Sequence, residues 1–136
     1  CCIMGIVAVC GSFHKTEIEL MLTYAKEEAA KHSLEISEVI WVPGSMEVPL
    51  AIKIAFTNNS NLEGAICLGI IEKGETQHGA AMGHGVIKSV IDLQLEFNKP
   101  IGLGIIGPGA EQHHIVPRLE PHARAAVNAV VSMNSL

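Results

Sequence analysis

Ala65-Ile66-Cys67-Leu68-Gly69-Ile70-Ile71, followed after Glu72-Lys73 by Gly74-Glu75-Thr76-Gln77-His78, is the stretch that decides how this chain folds. An unbroken apolar run of this length, with no alternation, reads as a strand buried on both faces, as in a parallel sheet. A long helical pattern begins just beyond it, near Ala80. The turn from a strand into a helix lies at the carboxyl edge of an open α/β sheet, where such sheets bind ligands. A hydroxyl, a carboxylate and an imidazole gathered in that turn are placed for chemistry.

The same strand-then-helix unit recurs in both directions. Ile3 to Cys10 is apolar and ends at Gly11-Ser12; Glu17 to Lys31 then places Leu20, Met21, Tyr24, Ala25 and Glu28 at helical spacing. Ser37 to Val42 is a short β-rich run closed by Pro43-Gly44, and Glu47 to Thr57 reads as a helix that tolerates Pro49 in its first turn. Asn58-Asn59-Ser60-Asn61 is a polar turn. After the central strand, Ala80 to Phe97 is the third helix. Ile101 to Ile106 is the fourth strand, and Gly107-Pro108-Gly109 turns it into a last helix from Glu111 to Met133. Regular alternation implies a parallel sheet with right-handed crossovers and helices on both faces. The predicted class is α/β, a flavodoxin-like three-layer α/β/α sandwich on a four-stranded parallel sheet, in one domain over residues 1–136. All four strand-to-helix turns then open on one edge.

Composition narrows the function. Hydrophobic residues make up 49% and charged residues 17% of the chain, and mean hydropathy is +0.35. No apolar run is long enough to span a bilayer, so the surplus apolar surface is assigned to contacts in a homo-oligomer. A net charge of −5 without a basic block argues against nucleic acid as a partner. Cys10 and Cys67 sit within strand patterns and read as buried reduced thiols, which fits a cytoplasmic protein. Cys1-Cys2 suits neither a disulfide nor a metal site.

Within the turns, each candidate carries a plain alternative. His78 is either a solvated loop histidine or a proton shuttle near neutral pH. Thr76 is a helix N-cap or part of an anion site, and the two are compatible, because an uncapped helix N-terminus attracts phosphate. Pro43-Gly44-Ser45-Met46-Glu47 opens a helix, and its backbone N–H groups and one carboxylate also suit a polyhydroxyl ligand. Phe13 is a packing residue or a stacking platform for a flat heterocycle. Gly102-Leu103-Gly104-Ile105-Ile106-Gly107 fits GxGxxG but lies inside a strand, the wrong context for a dinucleotide, and is better read as close packing. Arg118 is a solvated residue or a phosphate clamp, with Pro117 and Pro121 marking an irregular helix start. His113-His114 are adjacent and point apart on a helix, so no metal site is predicted.

Val42-Pro43-Gly44-Ser45-Met46-Glu47-Val48-Pro49, Leu68-Gly69 with Gly74-Glu75-Thr76-Gln77-His78, and Lys99-Pro100 together resemble the 6,7-dimethyl-8-ribityllumazine synthases of riboflavin biosynthesis. Leu103-Gly104-Ile105-Ile106-Gly107-Pro108-Gly109 is similar to the archaeal branch. The likeness runs from about Gly5 to Met133. It implies condensation of 5-amino-6-(D-ribitylamino)uracil with 3,4-dihydroxy-2-butanone 4-phosphate, releasing phosphate and water, without a cofactor. By position, Phe13 would stack on the pyrimidine, Ser45, Met46 and Glu47 would hold the ribityl chain, and Ile70, Ile71 and Glu72 would line the pyrimidine edge. Glu75 and Thr76 would receive the phosphate with Arg118 as clamp. His78 would transfer protons, and Leu103 of a neighbouring subunit would cover the heterocycle.

The resemblance also implies a pentamer, in some members part of a 60-subunit shell, with the active site at the subunit interface. Three departures stand out: His14 where Asn usually follows Phe, Gly79 where an acidic or aromatic residue commonly follows the motif histidine, and Pro117 before Arg118. Arg124 is the best match to a further basic residue of the family. A non-catalytic flavin- or lumazine-binding shell protein and an archaeal-type riboflavin synthase are the competing readings. A flavodoxin-like electron carrier lacks its phosphate loop here.

Overall fold

The two central strands are apolar runs because both of their faces are covered, whereas the polar residues of Leu34–Val42 mark an edge strand. The computed structural model describes residues 4–136, so Ile3 and the Cys1-Cys2 pair, with the expectations placed on them, lie outside the described residues. Strands β1 (Met4–Gly11), β2 (Leu34–Val42), β3 (Ala65–Glu72) and β4 (Ile101–Ala110) alternate with helices α1 (Lys15–Ala30), α2 (Val48–Asn58), α3 (His78–Phe97) and α4 (Gln112–Asn134). The sheet runs in the order β2-β1-β3-β4 with every pairing parallel. This is the flavodoxin-like α/β/α sandwich expected from the alternation.

Successive side chains of a strand point to opposite faces, and the two cores follow that rule. Ile6, Ala8 and Cys10 of β1 with Ile66 and Leu68 of β3 pack against Ile18, Met21, Ile115, Leu119 and Val127 of α1 and α4. Val7 and Val9 with Ala65 and Cys67 face Ile52, Phe56, Val86 and Val90 of α2 and α3. Ile66 has no exposed surface, and cutting it to alanine would cost about 2–5 kcal/mol.

The GxGxxG stretch does packing work. A Cβ on Gly102 would lie 1.9 Å from the Ala126 carbonyl oxygen, and one on Gly104 would lie 2.7 Å from Leu68 Cδ2. Only bare backbone lets α4 lie this close to β4.

Four sequence expectations need correction. β4 does not end at Ile106 but continues through Gly107-Pro108-Gly109 to Ala110. Its partner register jumps between Ile70 and Glu72, so that Glu72 pairs with Ala110 and the Lys73 N–H donates to the Ala110 carbonyl at 2.8 Å. Gly107 supplies the positive φ this requires (102°), and Pro108 is tolerated because β4 is an edge strand. α3 starts at His78 rather than Ala80. The helix expected from Glu47 is a single 3-10 turn over Ser45–Glu47 that passes into α2, with Pro49 in its first turn. α4 is continuous across Pro117 and Pro121 rather than irregular at its start.

Candidate active site

β1 and β3 are neighbours whose connections leave in opposite directions, β1 toward β2 and β3 toward β4. At such a switch point the turns after the two strands part and leave a crevice at the carboxyl edge. A cleft of about 530 Å³ opens there, lined by Phe13, Pro43, Gly44, Ser45, Met46, Glu47, Ile70, Ile71, Glu72, Gly74, Thr76, His78, Gly79 and Met82. Three of the four strand-to-helix turns contribute. The first two are fastened together, since the Ser12 N–H donates to the Val42 carbonyl at 2.8 Å and its hydroxyl to the Pro43 carbonyl at 3.3 Å.

Nine of the residues expected from sequence therefore meet in one cleft: Phe13, Ser45, Met46, Glu47, Ile70, Ile71, Glu72, Thr76 and His78. Glu75, Leu103 and Arg118 do not line it. Glu75 lies exposed in its turn. Leu103 sits on β4 with 38% of its surface open, and Arg118 is exposed on α4, donating to the His114 carbonyl at 3.1 Å. Pro43 and Gly44 belong to the turn already read as a polyhydroxyl site, whereas Gly74, Gly79 and Met82 were not expected as ligand contacts. Met82 was findable, because position i+4 from His78 on a helix shares its face; the glycines act through backbone and leave no side-chain signal.

Phe13 is 54% exposed and meets the His14 ring edge-on at 4.4 Å, so a flat ring has access to it. Ser45 is buried, and its Oγ lies 3.0 Å from where a Cβ on Gly69 would sit. The second turn thus rests directly on β3. At the start of α3 the N-cap is Gln77, not Thr76, and it makes no side-chain cap bond. The Thr76 hydroxyl instead accepts from the His78 N–H at 3.3 Å. The first-turn N–H groups that follow make this helix end suited to an anion.

His14 precedes α1 in the left-handed conformation (φ 61°, ψ 49°), a state that costs a non-glycine residue about 1 kcal/mol. Its Nε2 lies 2.5 Å from Glu72 Oε1, with both side chains partly shielded from solvent. That nitrogen is turned off the line of a hydrogen bond and has no hydrogen-bond partner among the described residues, so the imidazole and the carboxylate meet in direct contact rather than through an aligned bond. Gly79 touches the same place: a Cβ there would lie 3.1 Å from the Glu72 carbonyl oxygen.

Other titratable groups are committed elsewhere. Arg124 donates to Glu120 at 2.9 Å, Glu28 at 3.1 Å and Glu27 at 3.3 Å, and it stacks on Tyr24. It is a clasp between α1 and α4, with its guanidinium committed to those carboxylates. Burial pushes the Glu28 carboxyl up, but Arg124, His32 and Lys31 outweigh that, and its pKa falls below the ordinary value of 4.5. Burial, and then Arg118 one helical turn away, lower the pKa of His122. Burial pushes the Cys10 and Cys67 thiols up to about 12, leaving them protonated and unreactive.

The histidines after β4 were expected to point apart; instead the His113 and His114 rings approach to 4.1 Å. With Glu111 they bring three metal-type donors within 4.8 Å. Those donors are already used. His114 Nδ1 accepts the Glu111 N–H at 3.0 Å, the Glu111 carboxylate closes the reciprocal half of a capping box, and Lys73 lies 3.6 Å from it. With Nδ1 accepting, a neutral His114 carries its proton on Nε2, so ligation would break the cap.

A second pocket of about 560 Å³ adjoins the cleft across Met46, His78 and Met82, and is lined mainly by apolar groups of α2 and α3, among them Pro49, Leu50 and Val86. It offers few groups for chemistry. Exposed Leu50, Ile54, Ile91 and Leu95 extend this apolar surface over the same two helices.

The family model described as 6,7-dimethyl-8-ribityllumazine synthase matches residues 4–136. The chain belongs to this family. A synthase of that name from Metallosphaera sedula is 38% identical over 130 residues, covering 96% of this chain and 84% of the relative. Those from Staphylothermus marinus and Saccharolobus solfataricus are 38% and 37% identical, again over 96% of this chain and over 85% and 82% of their own. His14 touches the Glu72 carboxylate from outside the cleft lining, and Gly79 backs on to the Glu72 carbonyl from within it.

Proposed function

We propose that this chain is a 6,7-dimethyl-8-ribityllumazine synthase, condensing 5-amino-6-(D-ribitylamino)uracil with 3,4-dihydroxy-2-butanone 4-phosphate and releasing phosphate and water. The observation that carries the reading is the convergence of Phe13, Ser45–Glu47, Ile70–Glu72 and Thr76–His78 in one cleft at the switch point. An aromatic platform at one end suits the pyrimidine. Glu47 and the backbone of its turn suit the ribityl hydroxyls. The N-terminus of α3, beside Thr76, suits the phosphate, with Glu75 at the same turn.

Joining two bound molecules gains mainly from orientation, and a rigid cleft supplies it. An imidazole at His78 takes a proton from the attacking amine and returns one to the departing hydroxyl. The carbonyl carbon, the amine and the leaving phosphate are all supplied by the two substrates, so the reaction asks no cofactor of the protein.

Arg118 and Leu103 complete the cleft from an adjacent subunit in this reading. Their exposure away from their own chain's cleft and the apolar surface of α2 and α3 support it. A homopentamer, or a 60-subunit shell built from pentamers, provides such contacts. No helix among the described residues is long and apolar enough to cross a membrane, and the cytoplasm is the compartment proposed.

Absorbance and fluorescence on mixing both substrates test the reading, after subtraction of the uncatalysed condensation. The parent protein should form the lumazine well above background. Arg118→Ala should slow it most, by roughly 10- to 100-fold, since a charge-assisted bond to phosphate is worth about 1.5–3 kcal/mol. His78→Ala should slow it less. No rate above background with ligand still bound would make the chain a binding or shell protein; turnover of lumazine alone would make it a riboflavin synthase.

A further inference from the structure

Among the residues around the cleft, His14 has no role in the condensation described so far. It occupies a left-handed conformation that its neighbours must hold in place. Its ring is wedged between two cleft-lining residues: Phe13, edge-on at 4.4 Å, and Glu72, whose Oε1 lies 2.5 Å from His14 Nε2. His14 itself does not line the cleft, whereas both of its contacts do.

We infer that His14 is a positioning residue that sets the two heterocycle contacts at once, bracing the Phe13 ring and holding the Glu72 carboxylate beside the pyrimidine. The inference rests on the proposed condensation for the identity of the ligand. A carboxylate with one oxygen against the His14 ring is restricted in its rotation and keeps its second oxygen for a ligand. Flat heterocycles bearing N–H groups present donors to such an oxygen, so Glu72 selects for an amino- or imide-bearing ring over one that offers acceptors there. The edge-on His14 contact limits rotation of Phe13, preparing its face for stacking. Restraint of this kind improves binding by removing freedom before the ligand arrives.

His14→Asn and Glu72→Gln, singly and together, test the inference. Asparagine tolerates the left-handed backbone and lacks the imidazole ring. His14→Gly, which relieves the backbone entirely, serves as the control for strain. Each single change should raise the KM for the ribitylaminouracil by about tenfold while leaving the KM for the butanone phosphate within twofold, and the double variant should be no worse than the worse single one. His14→Gly should melt no lower than the parent and still lose affinity for the heterocycle. Unchanged KM values, or effects of His14→Asn and Glu72→Gln that multiply in full, would overturn the inference. If the parent forms no lumazine, the proposed function fails by itself. Titration of the same variants with ribitylaminouracil then decides the His14 role, with equal affinities counting against it.

Discussion

A Cβ placed on Gly79 comes within 3.1 Å of the carbonyl oxygen of Glu72 and 3.5 Å of Ile71 Cγ2. The start of α3 and the end of β3 therefore meet where only hydrogen fits comfortably. This gives a physical reason for glycine directly after His78. Gly79→Ala should displace Glu72 by a few tenths of an ångström and raise the KM for the heterocycle roughly three- to tenfold. Steady-state kinetics with each substrate varied in turn checks it. In Gly79→Asp, a carboxylate beside His78 should move the pH–rate profile; a profile identical to the parent's would mean that an acid there does not orient the imidazole.

The Arg124 clasp makes a contrasting forecast. Its guanidinium is held by Glu120, Glu28 and Glu27, and its own pKa is raised by those partners, Glu120 first. Arg124→Ala should lower the melting temperature by several degrees while leaving both KM values alone. Thermal melting beside substrate kinetics separates the two effects, and a raised KM for the phosphate substrate would place Arg124 in the site.

Glu28 carries the pH dependence of that clasp. Its folded-state pKa lies below the unfolded value of 4.5 because its basic partners outweigh its burial. A carboxyl depressed in this way contributes stability above the unfolded pKa and loses it as pH falls through the folded pKa. Denaturant midpoints should be level above about pH 5.5 and fall as the pH drops through and below 4.5. Glu28→Gln should flatten part of that fall.

Close packing at the far sheet edge gives the largest stability effect. A side chain on Gly102 would run into the Ala126 carbonyl at 1.9 Å, with backbone on both sides and nothing flexible to yield. Gly102→Ala should cost about 3 kcal/mol or more, measured by denaturant unfolding. A loss below 1 kcal/mol would show that α4 shifts freely over β4.

Much of this architecture was legible in the residues, and the reasons are specific. The unbroken run Ala65–Ile71 could only be a strand covered on both faces, and alternation with helical patterns then put Phe13, Ser45, Glu47 and His78 on one edge. What escaped were features set by backbone rather than by pattern. Gly107-Pro108-Gly109 has turn chemistry, yet positive φ at both glycines keeps the chain in the sheet to Ala110. The stacked rings of His113 and His114 follow from a capping box whose unusual histidine member carries no familiar signature. Met82 was missed because the helix was expected to begin at Ala80, which hid its i+4 relation to His78. Arg118 and Leu103 stand apart from the cleft of their own chain, and no single-chain reasoning from sequence brings them to it.

Separate KM values for the two substrates in Phe13→Ala and Arg118→Ala are the most direct test of a cleft with a heterocycle end and a phosphate end. Phe13→Ala should raise the KM for the ribitylaminouracil by about tenfold or more and leave that for the butanone phosphate nearly unchanged. Arg118→Ala should do the reverse. Equal effects of each variant on both substrates, or no effect of either, would contradict the assignment of this cleft to the condensation.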